Sequence, residues 1–129
     1  MPRPSARRLS GILLPLLVAC ATGESGDAAA PPLPPTPAEL ARGESLYVSS
    51  CASCHGAEGT GTSQGPPLVH IVYEPSHHGD ASFQLAVRAG VRAHHWRFGD
   101  MPPQPQVAPE DVAEIVRYVR WVQRQRGIE

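Results

Sequence analysis

The sequence predicts an all-α domain of three to five helices. Two segments, which begin near residues 36 and 109, repeat apolar residues at helical spacing and carry residue types that start and end helices. No segment shows a convincing strand pattern. The stretch from 36 to 129 is long enough to bury a modest core as one domain.

The first helix is predicted to begin at Thr36. Thr36 suits the N-cap, Pro37 the first helical position and Glu39 the third, which together form a capping box. The apolar and small residues that recur at helical spacing beyond this start are Leu40, Gly43 and Tyr47. Because this pattern runs directly into Cys51, the helix should carry the cysteine motif at its C-terminal end.

A middle helix is predicted from about Ser82 to Val91. Asp80 is a possible cap for it, and Phe83 and Val87 lie on the face that would be buried.

The last helix is predicted from Pro109 to Gly127. Glu110 and Asp111 lie in its first turn, where negative charge suits the helix dipole, although Ala108 stands where a polar cap is expected. Its apolar face consists of Val112, Ile115, Val116, Val119 and Val122. Four arginines are expected on the solvated side and in the last turn: Arg117, Arg120, Arg124 and Arg126.

The segment Cys51-Ala-Ser-Cys54-His55 has the spacing of a c-type haem attachment site. Two thiols three positions apart lie on one side of a helical turn, so both can bond one porphyrin edge while His55 ligates the iron. A structural zinc site would need a second pair of ligands nearby, and a redox dithiol would not need the adjacent histidine. Covalent haem is therefore the favoured interpretation.

The N-terminus predicts export. Basic residues at positions 3, 7 and 8 precede an apolar run over 11–19 that is too short for a permanent membrane span. The run ends in Leu-Val-Ala-Cys and resembles the lipobox of bacterial lipoproteins, which implies a signal peptide over 1–19 and a lipid anchor on Cys20. An ordinary secretory signal is the alternative. Two of the three cysteines belong to the haem motif, so lipidation would leave no free thiol.

Residues 20–35 form a proline-rich linker with little to bury, which separates the anchor from the domain over 36–129. After Cys20 the chain has 8 Arg, no Lys and 12 Asp plus Glu, a net charge of 8 − 12 = −4. Nucleic acid is therefore excluded as a partner. We expect a domain held by the bilayer and facing the periplasm, at the outer or the cytoplasmic membrane.

Met101 is the expected second iron ligand. It is the one methionine that follows Cys20, and it lies in a Gly-Asp-Met-Pro-Pro segment whose prolines leave the loop little freedom. A lone methionine in such a loop is poorly explained as core filler.

The order of these residues resembles that of small class I cytochromes c. The matching positions are the motif at 51–56, Gly59, Gly61, the Gly-Pro-Pro-Leu segment at 65–68, Gly90 and Met101-Pro102. The resemblance implies helices around one haem, a hydrogen bond from His55 Nδ1 to the carbonyl of Pro66, and packing of Leu68 on the ring. It also implies single-electron transfer between a redox donor and a redox acceptor, without enzyme activity.

Five further histidines exceed what a plain carrier needs: His70, His77, His78, His94 and His95. One hypothesis is a surface copper or zinc site built from the two His-His pairs, and another is that His94 or His95 replaces Met101 on the iron. Solvated or propionate-bonding roles are favoured, because the spacings match no compact metal motif. Trp96 and Arg97 are further candidates for the haem propionates.

Two alternatives to a free carrier stay open. One is a haem-bearing subunit of a larger oxidase or reductase, since an anchored domain suits a fixed partner. The other is a ligand-binding or peroxidatic haem protein in which Met101 is labile.

Overall fold

The computed structural model describes residues 30–129, and the predicted signal peptide, Cys20 and most of the linker lie outside this range. The helices are α1 (Ala41–Ser50), α2 (Ala52–His55), α3 (Asp80–Ala89) and α4 (Pro109–Gln125), with single 3-10 turns at Ala38–Leu40, Ala57–Gly59 and Ile71–Tyr73. The described part has no strand, only one isolated antiparallel bridge. The prediction of an all-α fold is confirmed. No helix in this part is long and apolar enough to cross a membrane.

The start of α1 differs from the prediction. The chain enters it through the 3-10 turn, whose N-cap is Pro37 rather than Thr36, and no side chain caps the turn. Pro37 has an extended ψ of 142° and its carbonyl accepts a hydrogen bond of 2.8 Å from the amide of Leu40. The predicted capping box is therefore wrong, because helical geometry begins one residue later than that motif requires.

The middle helix is shifted toward the N-terminus. Its N-cap is Gly79, and Asp80 is its first helical residue rather than its cap. The helix ends at Ala89, so Val91 lies beyond it and pairs with Met101 in the isolated bridge. The start of α4 at Pro109, with Ala108 as an uncapped N-cap, agrees with the sequence.

The core lies where α1 crosses α4. Its buried residues are Leu40, Tyr47, Ile115, Tyr118, Val119, Trp121 and Val122. The two helices approach so closely at Gly43 that a Cβ there would lie 2.2 Å from the carbonyl oxygen of Glu114. Only glycine permits this approach without moving one backbone, so Gly43 sets the distance between the helices.

Tyr47 connects this core to the cysteine motif. Its side chain is 0 % exposed, its ring lies 5.5 Å from that of Tyr118, and its hydroxyl donates a hydrogen bond of 2.8 Å to the carbonyl of Gly56. Burial raises the pKa of Tyr47 well above its usual range. The hydroxyl therefore stays protonated and fixes the chain just after His55.

The five predicted apolar residues of α4 are all buried, but Arg120 does not lie on a solvated side. It is 7 % exposed, and its guanidinium donates to Asp80 (2.9 Å), to the carbonyl of Tyr73 (2.6 Å), to the side chain of Gln123 (2.8 Å) and to the carbonyl of His78. The prediction for Arg120 is wrong because α3 and the turn before it cover a second side of α4. The helical spacing of residues in a single sequence cannot show which sides of a helix other segments will cover.

Candidate functional site

The cysteine motif lies at the junction of α1 and α2. The amide of Cys51 donates to Tyr47, and the amides of Cys54 and His55 both donate to the carbonyl of Cys51, at 3.1 and 2.9 Å. The two thiols are therefore held on one turn without being bonded to each other. Burial, and then the charge of Cys54, raise the pKa of the Cys51 thiol to about 11, so this thiol is neutral near pH 7.

His55 is oriented by a backbone carbonyl. Its Nδ1 lies 2.9 Å from the oxygen of Pro66. A carbonyl can only accept, so Nδ1 carries the proton and Nε2 keeps a free lone pair. The structure thus contains the hydrogen bond that the sequence resemblance implies, and it leaves His55 in the tautomer that ligates a metal.

One cavity of about 540 Å³ joins the predicted site residues. Cys51, Cys54, His55, Pro66, Leu68 and Met101 all line it. Several of the other walls are apolar and come from α3, α4 and the connecting loops, among them Phe83, Leu85, Val87, Val91, Val107 and Ile115. Residues that lie 50 positions apart in the chain are therefore brought to a single site.

Met101 is held at the cavity by its backbone. Its amide and carbonyl exchange two hydrogen bonds of 2.9 Å with Val91, which close the loop 91–101 at its base. Gly90 makes this possible, because its φ is +76° and a Cβ on it would lie 2.6 Å from the carbonyl oxygen of Met101. The position of Met101 therefore depends on Gly90, the residue just before the bridge.

Trp96 offers the cavity a polar group. Its indole Nε1 is buried and has no hydrogen-bond partner among the described residues. A buried donor without a partner is costly unless a ligand supplies the acceptor. Two thiols, an oriented imidazole, a thioether, apolar walls and one unused donor fit a covalently bound tetrapyrrole that carries carboxylates. Arg97, by contrast, is exposed and does not line the cavity.

Comparison with known families agrees with this chemistry. The family model for cytochrome c matches residues 40–123, which contain the cysteine motif, Pro66 and Met101. The chain belongs to the cytochrome c family. Membership of this family implies covalent haem c, and Cys51 and Cys54 have the spacing of its attachment motif.

A curated relative of this cytochrome c is subunit CcoP of the cbb3-type cytochrome c oxidase from Rubrivivax gelatinosus. The two are 32 % identical over 87 residues, which cover 64 % of this chain and 26 % of that subunit. The chain thus spans about a quarter of the relative's length. No solved structure matches the chain.

The structure separates the five additional histidines of this cytochrome into two groups. His70 stands alone: its Nδ1 accepts from the amide of Val72 at 3.2 Å, and its ring lies edge-on to Trp96 at 5.0 Å. The remaining four histidines, at positions 77, 78, 94 and 95, lie together at the cavity, where His78, His94 and His95 are lining residues. The spacing of the two pairs along the chain does not reveal this convergence.

Several cavity walls were not predicted from the sequence. Tyr73 is the last residue of a 3-10 turn, Leu85 lies on α3, and Phe98 lies in the loop before Met101. Leu85 and Phe98 are 53 % and 39 % exposed, which is unusual for large apolar side chains. Leu85 is an apolar residue of the predicted middle helix, which is a partial signal for a cavity wall. No local pattern in the sequence identifies Phe98 as a wall residue.

Proposed function

We propose that this cytochrome carries single electrons on one haem whose iron is ligated by His55 and Met101. The observation that carries the proposal is that the oriented imidazole of His55 and the backbone-clamped Met101 line the same cavity as both attachment cysteines. A haem with two firm axial ligands has no open position, which suits electron transfer rather than catalysis.

The haem would supply the one-electron redox chemistry, and Cys51 and Cys54 would hold it through thioether bonds. The chain's own contribution is to fix the environment. Pro66 holds the proton on Nδ1 of His55 and so strengthens its Nε2 as a ligand. Leu68 and the other apolar walls would shield a bound haem from water, which would disfavour the oxidised, more positively charged state.

Visible spectra of the haem-loaded protein test the ligand set. The oxidised protein should show the weak sulfur-to-iron charge-transfer band, Met101→Ala should abolish it, and carbon monoxide should leave the reduced wild-type spectrum unchanged. Absence of the band in the wild type, together with immediate carbon monoxide binding, would instead place this protein with the ligand-binding or peroxidatic haem proteins.

We further propose that the domain is exported and anchored by a lipid on Cys20. The support is the sequence alone: a basic start, a short apolar run and a lipobox-like ending. Cys20→Ser should move the haem protein from the membrane fraction to the soluble periplasmic fraction. Intact mass measurement should show the acyl chains only on the wild type, and equal membrane binding of both forms would refute the anchor.

A second candidate function is a haem-bearing subunit of a larger oxidase. The observation that favours it is the similarity to an oxidase subunit, of which this chain covers 26 %. Gentle solubilisation and purification through the native haem protein would distinguish the two candidates. A stoichiometric second redox protein in the purified fraction supports the subunit, and a monomeric haem protein supports the carrier.

A further inference from the structure

Two segments bring three histidines together beside the cavity. His77 and His78 lie in the turn that follows Glu74, and His95 lies in the loop closed by the Val91–Met101 bridge. Each histidine offers a ring nitrogen, and these three atoms all lie within 4.8 Å of one another. The group contains no carboxylate, so any ion that it binds must favour nitrogen ligands.

The distances fit a tetrahedral ion. Nε2 of His77 lies 3.4 Å from Nε2 of His95. Zinc–nitrogen bonds of about 2.0–2.1 Å in a tetrahedron separate two ligand atoms by about 3.3 Å. The nitrogen of His78 is within 4.8 Å of the other two, so it needs to approach them by at most about 4.8 − 3.3 = 1.5 Å. A change of that size is within the reach of side-chain rotation.

His78 is already oriented as a metal ligand. Its Nδ1 lies 2.6 Å from the carbonyl oxygen of Val72 and therefore donates to it, which leaves the lone pair on Nε2. Histidine ligands of metals are usually fixed by such a bond from the second ring nitrogen. The backbone of His78 is held as well, because its amide donates to Glu74 at 2.8 Å and its carbonyl accepts from Arg120.

The loop that carries His95 has its own support. The bridge between Val91 and Met101 closes its base, and the amide of Ala93 donates to the carboxylate of Asp100 at 2.9 Å. These contacts support the loop in which Nε2 of His95 lies 3.4 Å from Nε2 of His77.

We propose that His77, His78 and His95 form a binding site for one zinc ion, with the fourth position open to solvent. The site uses none of the proposed iron ligands. It differs from the preference for solvated or propionate-bonding histidines, which considered the spacing along the chain and not the meeting of two loops.

Calorimetric titration of the haem-loaded protein, prepared without a polyhistidine tag, tests the proposal. Zinc chloride should bind with a stoichiometry of one. His77→Gln and His95→Gln should each weaken binding at least about tenfold, since even the loss of an outer-shell partner typically weakens a metal site 10- to 100-fold. His77 is exposed and does not line the cavity, so His77→Gln should retain the wild-type haem spectrum and far-ultraviolet circular dichroism.

His70→Gln is the matched control, because His70 lies outside the three-histidine group and its loss should change zinc affinity less than twofold. X-ray absorption at the zinc edge should show three nitrogen ligands at about 2.0–2.1 Å without interference from iron. No binding at millimolar zinc, several weak sites, or equal weakening by His70→Gln and His95→Gln would overturn the proposal.

Discussion

The α1–α4 crossing and the loop 91–101 differ in how they hold their residues. At the crossing, buried side chains interlock and a single added carbon would meet backbone at 2.2 Å. In the loop, two bridge hydrogen bonds and one bond to Asp100 hold a chain whose residues are mostly exposed. The attachment motif thus lies on the rigid side, and the proposed second iron ligand on the more adaptable side. Packing should therefore govern stability, and the loop should govern the properties of the iron.

The largest effect should come from Gly43→Val. The new Cβ would meet the carbonyl of Glu114, so α1 must move away from α4, and we expect a loss of about 3 kcal/mol or more in the free energy of unfolding. Urea unfolding of the haem-loaded protein measures it. Ala41→Val, at an exposed position on the same helix, should cost less than about 1 kcal/mol. Similar costs for the two variants would show that the crossing is not tightly packed.

Arg120→Leu should have the next largest effect. The change removes the donors for the carbonyls of Tyr73 and His78 and replaces the buried guanidinium with a side chain of different shape. We therefore expect a loss of about 2–3 kcal/mol in the free energy of unfolding. Arg124→Leu is the matched control on the same helix, where the side chain is exposed, and should change stability by about 0.5 kcal/mol or less. Thermal unfolding of both variants measures the difference. A much larger loss of stability for Arg120→Leu supports its connecting role, and equal losses would indicate only an effect of the removed charge.

Gly90→Ala should affect the loop more than the core. A positive φ and a contact of 2.6 Å to the carbonyl of Met101 make alanine unfavourable there, at a cost of about 1–2 kcal/mol. The bridge to Val91 should loosen, so the sulfur-to-iron band should weaken while the helical circular dichroism is retained. An unchanged band would mean that the bridge does not position Met101.

Alkaline pH should produce the smallest effect. Burial, and then the charges of Glu44 and Glu58, raise the pKa of Tyr118 to about 12, from about 10 in the unfolded chain. The unfolded state therefore loses its proton first, and stability that is complete below pH 10 should fall by about 1 kcal/mol between pH 10 and 11. Tyr118→Phe should reduce this dependence in urea titrations at pH 9–11.5, and the raised pKa of Tyr47 should supply the remainder. An equal slope in the variant would contradict the assignment.

The sequence predicted those features that depend on local spacing. The cysteine motif, the apolar face of α4 and its start at Pro109 all follow from periodicity and from the conformational preferences of single residues. The α3 boundary and the cap of α1 were missed by one or two residues, because neighbouring turns compete for the same backbone groups.

Other features depend on tertiary contacts and have no local pattern. The spacing of Arg120 in the sequence is that of a surface arginine. Only the folded structure shows that Asp80 and two backbone carbonyls surround it. His77 and His95 lie 18 positions apart, and only the meeting of two loops places their nitrogens 3.4 Å from each other. No periodicity argument on a single chain can supply either fact.

The guanidinium of Arg120 also bears on how the protein opens. It ties α4 to Asp80 on α3 and to the turn that contains Tyr73 and His78. These three segments should exchange their amide hydrogens as one cooperative unit, at a free energy close to that of global unfolding. The loop 91–101 lacks any such tie and should exchange through smaller, independent openings. Local fluctuations at equilibrium would then expose one side of the cavity many times before the fold itself is lost.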